Sequence, residues 1–154
     1  MWHSVFIALH AIAGVVAFGV GCVALRRARV FPTYFWSLLA MALFLALAVG
    51  VGWGGNDTAT RIIFAALVGL AGYLVWRAVM AGRLRPVGLA GPTAPYFEHI
   101  GVTLVGLFDG FVVIAVLRTG APGWLLAATG VGIAIAGHFV LGATRDRVIA
   151  SSAT

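Results

Sequence analysis

Lysine is absent from this sequence, acidic residues are few, and cysteine occurs once. The chain has ten arginines against four acidic residues, and charged residues make up 9% of it, whereas a soluble globular domain has about 25%. The single cysteine, Cys22, leaves no second thiol for an intramolecular disulfide or a thiolate metal site. None of the five prolines falls inside a long apolar run. These absences exclude a soluble globular domain and a disulfide-stabilised scaffold.

What the sequence does contain is long apolar runs. Hydrophobic residues make up 62% of the chain, and the mean hydropathy is +1.09. Each run approaches the length of about 20 residues that a helix needs to cross a bilayer. We therefore predict an all-α fold, a polytopic membrane helical bundle of five transmembrane helices that occupies residues 1–154 as a single domain. The expected spans are residues 5–25, 34–53, 62–81, 96–117 and 123–142.

The arginines are divided unevenly between the two sides of the expected bundle. Two of them, Arg61 and Arg118, lie on one side, and eight lie on the other. The eight are Arg26, Arg27, Arg29, Arg77, Arg83, Arg85, Arg145 and Arg147. Because positive residues stay in the cytoplasm, we predict an N-terminus outside and a cytoplasmic C-terminus, in a multi-pass protein of the bacterial inner membrane. The positive charge is thus a topology signal, and no nucleic-acid partner is expected.

The tryptophans give a second indication of the span boundaries. All five fall at the ends of the expected spans, where aromatic residues mark the two membrane interfaces. The arginines and the tryptophans therefore place the boundaries independently at the same positions.

Small residues suggest which spans pack closely. In span 1, His3, His10, Ala17 and Ala24 recur every seven residues, and Gly14 and Gly21 fall four residues after His10 and Ala17. Such a seam allows another helix to approach closely, so we expect span 1 at the centre of the bundle. Span 2 is almost purely apolar, and we expect it to face lipid. Spans 4 and 5 are joined by a short turn, which predicts an antiparallel hairpin.

Asp109 is the first candidate for chemistry. It stands near the middle of span 4 and is the only acidic residue at membrane depth. A charge there costs several kcal/mol on insertion scales, so the carboxyl must be neutral, paired or hydrated, and a functional role is the default. His10 enters span 1 at a depth within roughly 5 Å of Asp109 by helical rise. We expect these two residues to form a hydrogen-bonded catalytic or proton-binding pair, although a structural carboxyl and a packing histidine remain the alternatives.

His99 and His138 form the second candidate pair. They lie on the two arms of the hairpin, at depths that differ by only about 5 Å. Bis-histidine ligation of haem b is one interpretation, and a metal site or a proton relay is another. Together, His10, Asp109, His138 and His99 with Glu98 are ordered by depth, which suits a proton path but can also arise by coincidence among the few polar residues of five helices.

Several catalytic motifs are missing. No lysine is present to bind retinal, and neither a Gly-x-Ser-x-Gly nor a His-Glu-x-x-His string occurs. The sequence also has no phosphate-binding loop. Serine hydrolase, zinc protease and nucleotide-dependent chemistry therefore have no support.

The segment LHAIAGVVAFGVGCVALRRAR, followed by YFWSLLAMALFLALAV and later by EHIGVTLVG, resembles a family of uncharacterised small bacterial integral membrane proteins. Those proteins begin with a histidine-bearing first helix, an arginine-rich inner turn and an aromatic start to the second helix. The sequence departs from them at residues 31–33, where the family leads us to expect a His-Arg pair. The resemblance implies a helical bundle and points to His10 and His99.

The functional hypothesis is a membrane protein that binds or transports protons, a small solute or a lipophilic molecule through an Asp109–His10 centre. One alternative is an intramembrane acid catalyst that acts on an isoprenoid or a quinone, with protonated Asp109 as the general acid. Others are a haem b redox protein and an accessory subunit of a larger membrane complex. The expected partners are membrane lipids, a lipophilic small molecule, and a second copy or a larger complex.

Overall fold

Five long helices make up the protein, which the computed structural model describes for residues 2–55, 57–86 and 92–151, without the side chains of residues 146 and 148–151. The helices are α1 (Trp2–Ala24), α2 (Phe31–Gly52), α3 (Thr58–Arg83), α4 (Ala94–Arg118) and α5 (Gly123–Ser151). No strand occurs in this part of the chain. All five helices are long and apolar enough to cross a bilayer, which confirms the predicted fold class. The largest difference from prediction is that α5 continues beyond residue 142.

Local sequence signals set the helix boundaries. Pro32 lies in the first turn of α2, where its missing N–H and fixed φ suit a helix start. Asp57 caps α3, since its carboxylate accepts a hydrogen bond from the backbone N–H of Thr60 at 2.8 Å. Hydrogen bonds from the Thr60 side chain and backbone lower the pKa of Asp57. After α4, Gly120 adopts a φ of +74°, which lets the chain turn directly into α5.

Neighbouring helices run antiparallel, so the bundle has two distinct ends. The ring nitrogens of His3 and His10 reach backbone oxygens of Ala48 and Met41, which fixes the register of α1 against α2. We call the end that holds the start of α1 the His3 end and the opposite end the Tyr34 end. α4 packs against α1, α3 and α5, more helices than any other element contacts closely. The central helix is therefore α4, whereas the sequence led us to expect α1.

The small-residue seam of α1 is buried, as predicted. Gly14, Ala17, Gly21 and Ala24 are all inaccessible to solvent. The seam packs against both α2 and α4, because a Cβ atom at Gly21 would lie 2.7 Å from Leu104 and 3.0 Å from Tyr34. The opposite face of α1 is exposed. The seam therefore joins α1 to its neighbours along one side only.

The expectation that span 2 faces lipid is wrong. α2 contributes six buried residues, Phe31, Tyr34, Leu38, Met41, Ala48 and Val49. α5, in contrast, packs mainly against α4, and Leu126 is its only buried residue among the side chains described. A uniformly apolar helix suits a protein interior as well as lipid, so the composition of span 2 did not distinguish the two environments.

Large side chains fill the Tyr34 end of the bundle. Tyr34, Tyr96, Phe97 and Ile100 are among its largest fully buried side chains. The hydroxyl of Tyr96 donates a hydrogen bond of 3.1 Å to the backbone oxygen of Ala24, so α4 is tied to the last residue of α1. The interior of the bundle is consequently tightly packed at this end.

Replacing Gly21 by alanine tests the close approach in this seam. The new methyl group would meet the buried ring of Tyr34, and overpacking of this kind costs about 1–3 kcal/mol. Gly19→Ala is the matched control, because a Cβ at Gly19 has no neighbour within 4 Å and alanine is favoured over glycine in a helix by about 1 kcal/mol. We expect thermal unfolding in detergent to show destabilisation for Gly21→Ala alone. Equal stability of the two variants would contradict the proposed packing.

Candidate functional site

A cavity of about 380 Å³ lies between α1, α2, α3 and α4 towards the His3 end, a volume within the usual range of small-molecule sites. Its walls are mainly apolar and include Ile7, Met41, Phe64, Leu74 and Phe111. It extends along α4 from Gly106 to Arg118, which corresponds to about 18 Å of helical rise. The cavity is thus long, apolar and formed by the four helices that precede α5.

Three ionisable residues line this cavity, and all of them lie towards the His3 end. They are His3, His10 and Arg118. Arg118 is the last residue of α4 and is exposed. Among the described residues, the Arg118 side chain has no hydrogen bond and no ion pair. The apolar cavity therefore has a polar end that carries a fixed positive charge.

The two histidines are held in the same way. His3 Nδ1 lies 3.0 Å from the backbone oxygen of Ala48, and His10 Nδ1 lies 2.9 Å from that of Met41. The repeat of seven residues in α1 matches the same spacing in α2, so both rings sit on one helix face. A carbonyl oxygen can only accept, so Nδ1 must carry the proton in both rings. Nε2 is then the ring nitrogen left for another partner.

Asp109 is not part of the cavity and does not contact His10. It faces α5, where a Cβ atom at Gly130 would lie 3.5 Å from its Oδ1. Asp109 is half-buried, and its Oδ1 is buried with no hydrogen-bond partner among the residues described. The expected pair does not form because successive helical residues point about 100° apart. Gly110 therefore lines the cavity, as His10 does, whereas Asp109 points towards the next helix.

His99 and His138 are not brought together either. His138 is exposed on α5 and contacts the neighbouring ring of Phe139. His99 is half-buried, and its Nδ1 is buried with no hydrogen-bond partner among the described residues. Between the two histidines the helices touch closely, because Gly101 packs against Leu141 and Gly137 packs against Val105. Within the part of the chain that the structure describes, the two imidazoles share no hydrogen bond and no ring contact.

The expected proton path is discontinuous in this bundle. His10 lies in the cavity, Asp109 lies between α4 and α5, and His138 lies on the exposed side of α5. The order in depth follows from residue number, but the residues occupy different faces. Among the described residues, no group of three His, Cys, Asp or Glu side chains could hold a metal ion.

A second groove, of about 450 Å³, lies at the Tyr34 end. Its lining includes Cys22, Arg26, Arg27, Phe97 and Thr144. Arginines at a membrane interface attract anionic headgroups in general. This groove therefore gives a less specific signal than the cavity, where the polar groups are few and their hydrogen bonds are defined.

Two polar residues that line the cavity, His3 and Arg118, are not among the candidates expected from the sequence. In the sequence, His3 belongs to a packing repeat and Arg118 indicates topology. Their spacing contained a usable signal, because His3 and His10 lie seven residues apart, on one helix face. The contribution of Arg118 could not be foreseen, since it depends on how α4 is aligned with α1.

No protein-family model, curated protein sequence or solved structure matches this chain.

Replacing Asp109 by leucine tests whether its carboxyl is structural. Oδ1 is buried without a partner, and removing such an atom should relieve a desolvation cost of about 1 kcal/mol. We expect Asp109→Leu to be at least as stable as wild type in thermal unfolding experiments in detergent, while the control Asp109→Asn keeps the polar group and gains nothing. Destabilisation by leucine but not by asparagine would instead indicate a hydrogen-bond partner for this carboxyl.

Proposed function

We propose that this protein binds one lipophilic molecule in the cavity between α1, α2, α3 and α4. The main support for this proposal is the cavity itself, which has the volume of a ligand site, apolar walls and polar residues at one end only. An amphiphile would place its chain towards Gly106 and its polar group near His10 and Arg118. This distribution favours a lipophilic molecule over a small polar solute, which the apolar walls could not solvate.

The arginine distribution supports an orientation for this site. The positive-inside rule favours a cytoplasmic Tyr34 end, because eight of the ten arginines close or follow spans 1, 3 and 5. The His3 end of the cavity would then face the outer leaflet of a bacterial inner membrane. The ligand would enter from that leaflet, or from the space outside it.

The polar groups must supply the selectivity of such a site. Burying a methylene from water is worth about 0.8 kcal/mol, but a ligand dissolved in lipid has already gained that energy. Lipid tails are as apolar as leucine side chains, so the apolar walls alone would hold any chain that fits. Discrimination between ligands therefore falls to the deeper histidine, His10, and to Arg118.

Proton binding at Asp109 is a second candidate function. It is supported by the buried Oδ1, which has no hydrogen-bond partner and lies at membrane depth, where ionisable groups are commonly functional. The acid-catalyst and haem hypotheses have less support, because Asp109 lies outside the cavity and the helices between His99 and His138 are in contact. A role as an accessory subunit remains compatible with the exposed α5.

Filling the cavity tests the proposed function. A Cβ atom at Gly110 has no neighbour within 4 Å, and Gly110 lines the cavity, so Gly110→Leu should place a side chain in the empty space. Gly132→Leu is the matched control, because Gly132 is equally open but lies on the exposed side of α5. The probe is a medium-chain alkyl alcohol with a diazirine, photo-crosslinked to the protein in liposomes and located by mass spectrometry.

We expect the probe to label the cavity peptides of α1 and α4 in wild type and in Gly132→Leu. Labelling should fall about tenfold in Gly110→Leu, which corresponds to a loss of about 1.4 kcal/mol. Labelling that is spread over the lipid-facing surface, and is unchanged by Gly110→Leu, would rule out a specific cavity site.

A further inference from the structure

The two histidine hydrogen bonds restrict what the cavity can recognise. Because Nδ1 of His10 donates to the backbone oxygen of Met41, only Nε2 is free to meet a ligand. In a ring that carries one proton, held at Nδ1, the other nitrogen Nε2 is a hydrogen-bond acceptor.

Arg118 presents the complementary group near the same depth. A Cβ atom at Gly14 would lie 3.2 Å from the Phe111 ring, which aligns α1 with α4. From this pair, His10 lies four residues and Arg118 seven residues towards the His3 end. Helical rise puts their backbones about 4.5 Å apart along the bundle, and the long arginine side chain can span such a distance. Arg118 can only donate hydrogen bonds.

A single hydroxyl group satisfies both residues. It can donate its hydrogen to Nε2 of His10 and accept a hydrogen bond from Arg118 through its oxygen. A carboxylate or phosphate could pair with Arg118 but would bring a negative charge towards the lone pair of Nε2. A ketone or an ether has no hydrogen to donate. The polar end of the cavity therefore matches a hydroxyl better than an anion or a carbonyl.

We propose that the cavity selects lipophilic alcohols and phenols, whose hydroxyl donates a hydrogen bond to His10 Nε2. This inference rests on the proposed function and identifies the chemical class of its ligand. His10 is the decisive histidine because it lies deeper in the bundle. His3 is seven residues, or about 10.5 Å of helical rise, closer to the end of α1, where headgroups and water compete for its ring.

The experiment compares two ligands that differ only in whether the oxygen carries a hydrogen or a methyl group. A para-alkylphenol and the methyl ether of the same phenol compete with the diazirine probe for photolabelling of the full chain in liposomes. Concentrations are taken as those in the lipid phase, so different partitioning does not enter. For wild type we expect the phenol to compete about fivefold better, as a neutral hydrogen bond of about 1 kcal/mol implies.

Two histidine variants assign the preference to one ring. In His10→Phe, the phenol and the ether should compete equally with the probe, because the substitution removes the hydrogen-bond acceptor. His3→Phe is the matched control, since it removes the equivalent bond between α1 and α2 but should keep the fivefold preference. His10→Gln should keep part of it, because its amide can donate to Met41 and accept from the hydroxyl.

Each outcome separates this inference from the proposed function. If the probe labels the cavity but phenol and ether compete equally in wild type, the hydroxyl inference fails while the cavity site stands. That comparison needs no variant, so it decides even if His10→Phe does not fold. A preference that survives in His10→Phe, or stronger competition by an alkyl carboxylate, also overturns it. If the probe does not label the cavity, the proposed function itself fails.

Discussion

Close approach of helices through small residues is the constraint on which the rest of this bundle depends. In lipid there is no hydrophobic force to drive helices together, so van der Waals contact and interhelical hydrogen bonds must hold them. Gly21 on α1, Gly101 and Gly106 on α4, and Gly137 on α5 all lie where a side chain would meet the next helix. These contacts let α4 touch three helices. Gly110, one turn beyond Gly106, has no such neighbour. It lines the cavity instead.

The sequence predicted which segments form helices better than it predicted which face of each helix meets a neighbouring helix. The apolar runs predicted the five helices because the bilayer sets their length, and the repeat in α1 correctly identified its buried seam. The expectation for span 2 was wrong because lipid and protein interior select the same side chains. The pairing of His10 with Asp109 was inferred from depth alone. Depth follows from residue number, but which face meets which helix depends on the packing of all five.

In the proposed function, His10 connects the stability of the bundle with the recognition of a ligand. Like His3, it uses Nδ1 to join α1 to α2, and this bond also fixes the tautomer that Nε2 presents. Interhelical hydrogen bonds in membranes average about 0.6 kcal/mol, so each bond contributes little to stability. Its larger effect is to orient the ring. A residue that looks like part of a packing seam in the sequence can therefore also define the chemistry of a site.

A binding site within a membrane has to be selective in a solvent that resembles its ligands. The chain of a lipophilic ligand gains little by moving from lipid to the apolar walls around Phe64 and Leu74, because both surroundings are apolar. The polar group of the ligand finds few hydrogen-bond partners in the bilayer core, so a hydrogen bond to the protein adds affinity that the apolar walls cannot supply. In the proposed site, such a bond is available at His10, deeper than the end of α1 and in the cavity that Arg118 also lines. For the proposed lipophilic alcohol, the position of one imidazole nitrogen thus does more to select the ligand than the larger apolar surface around it.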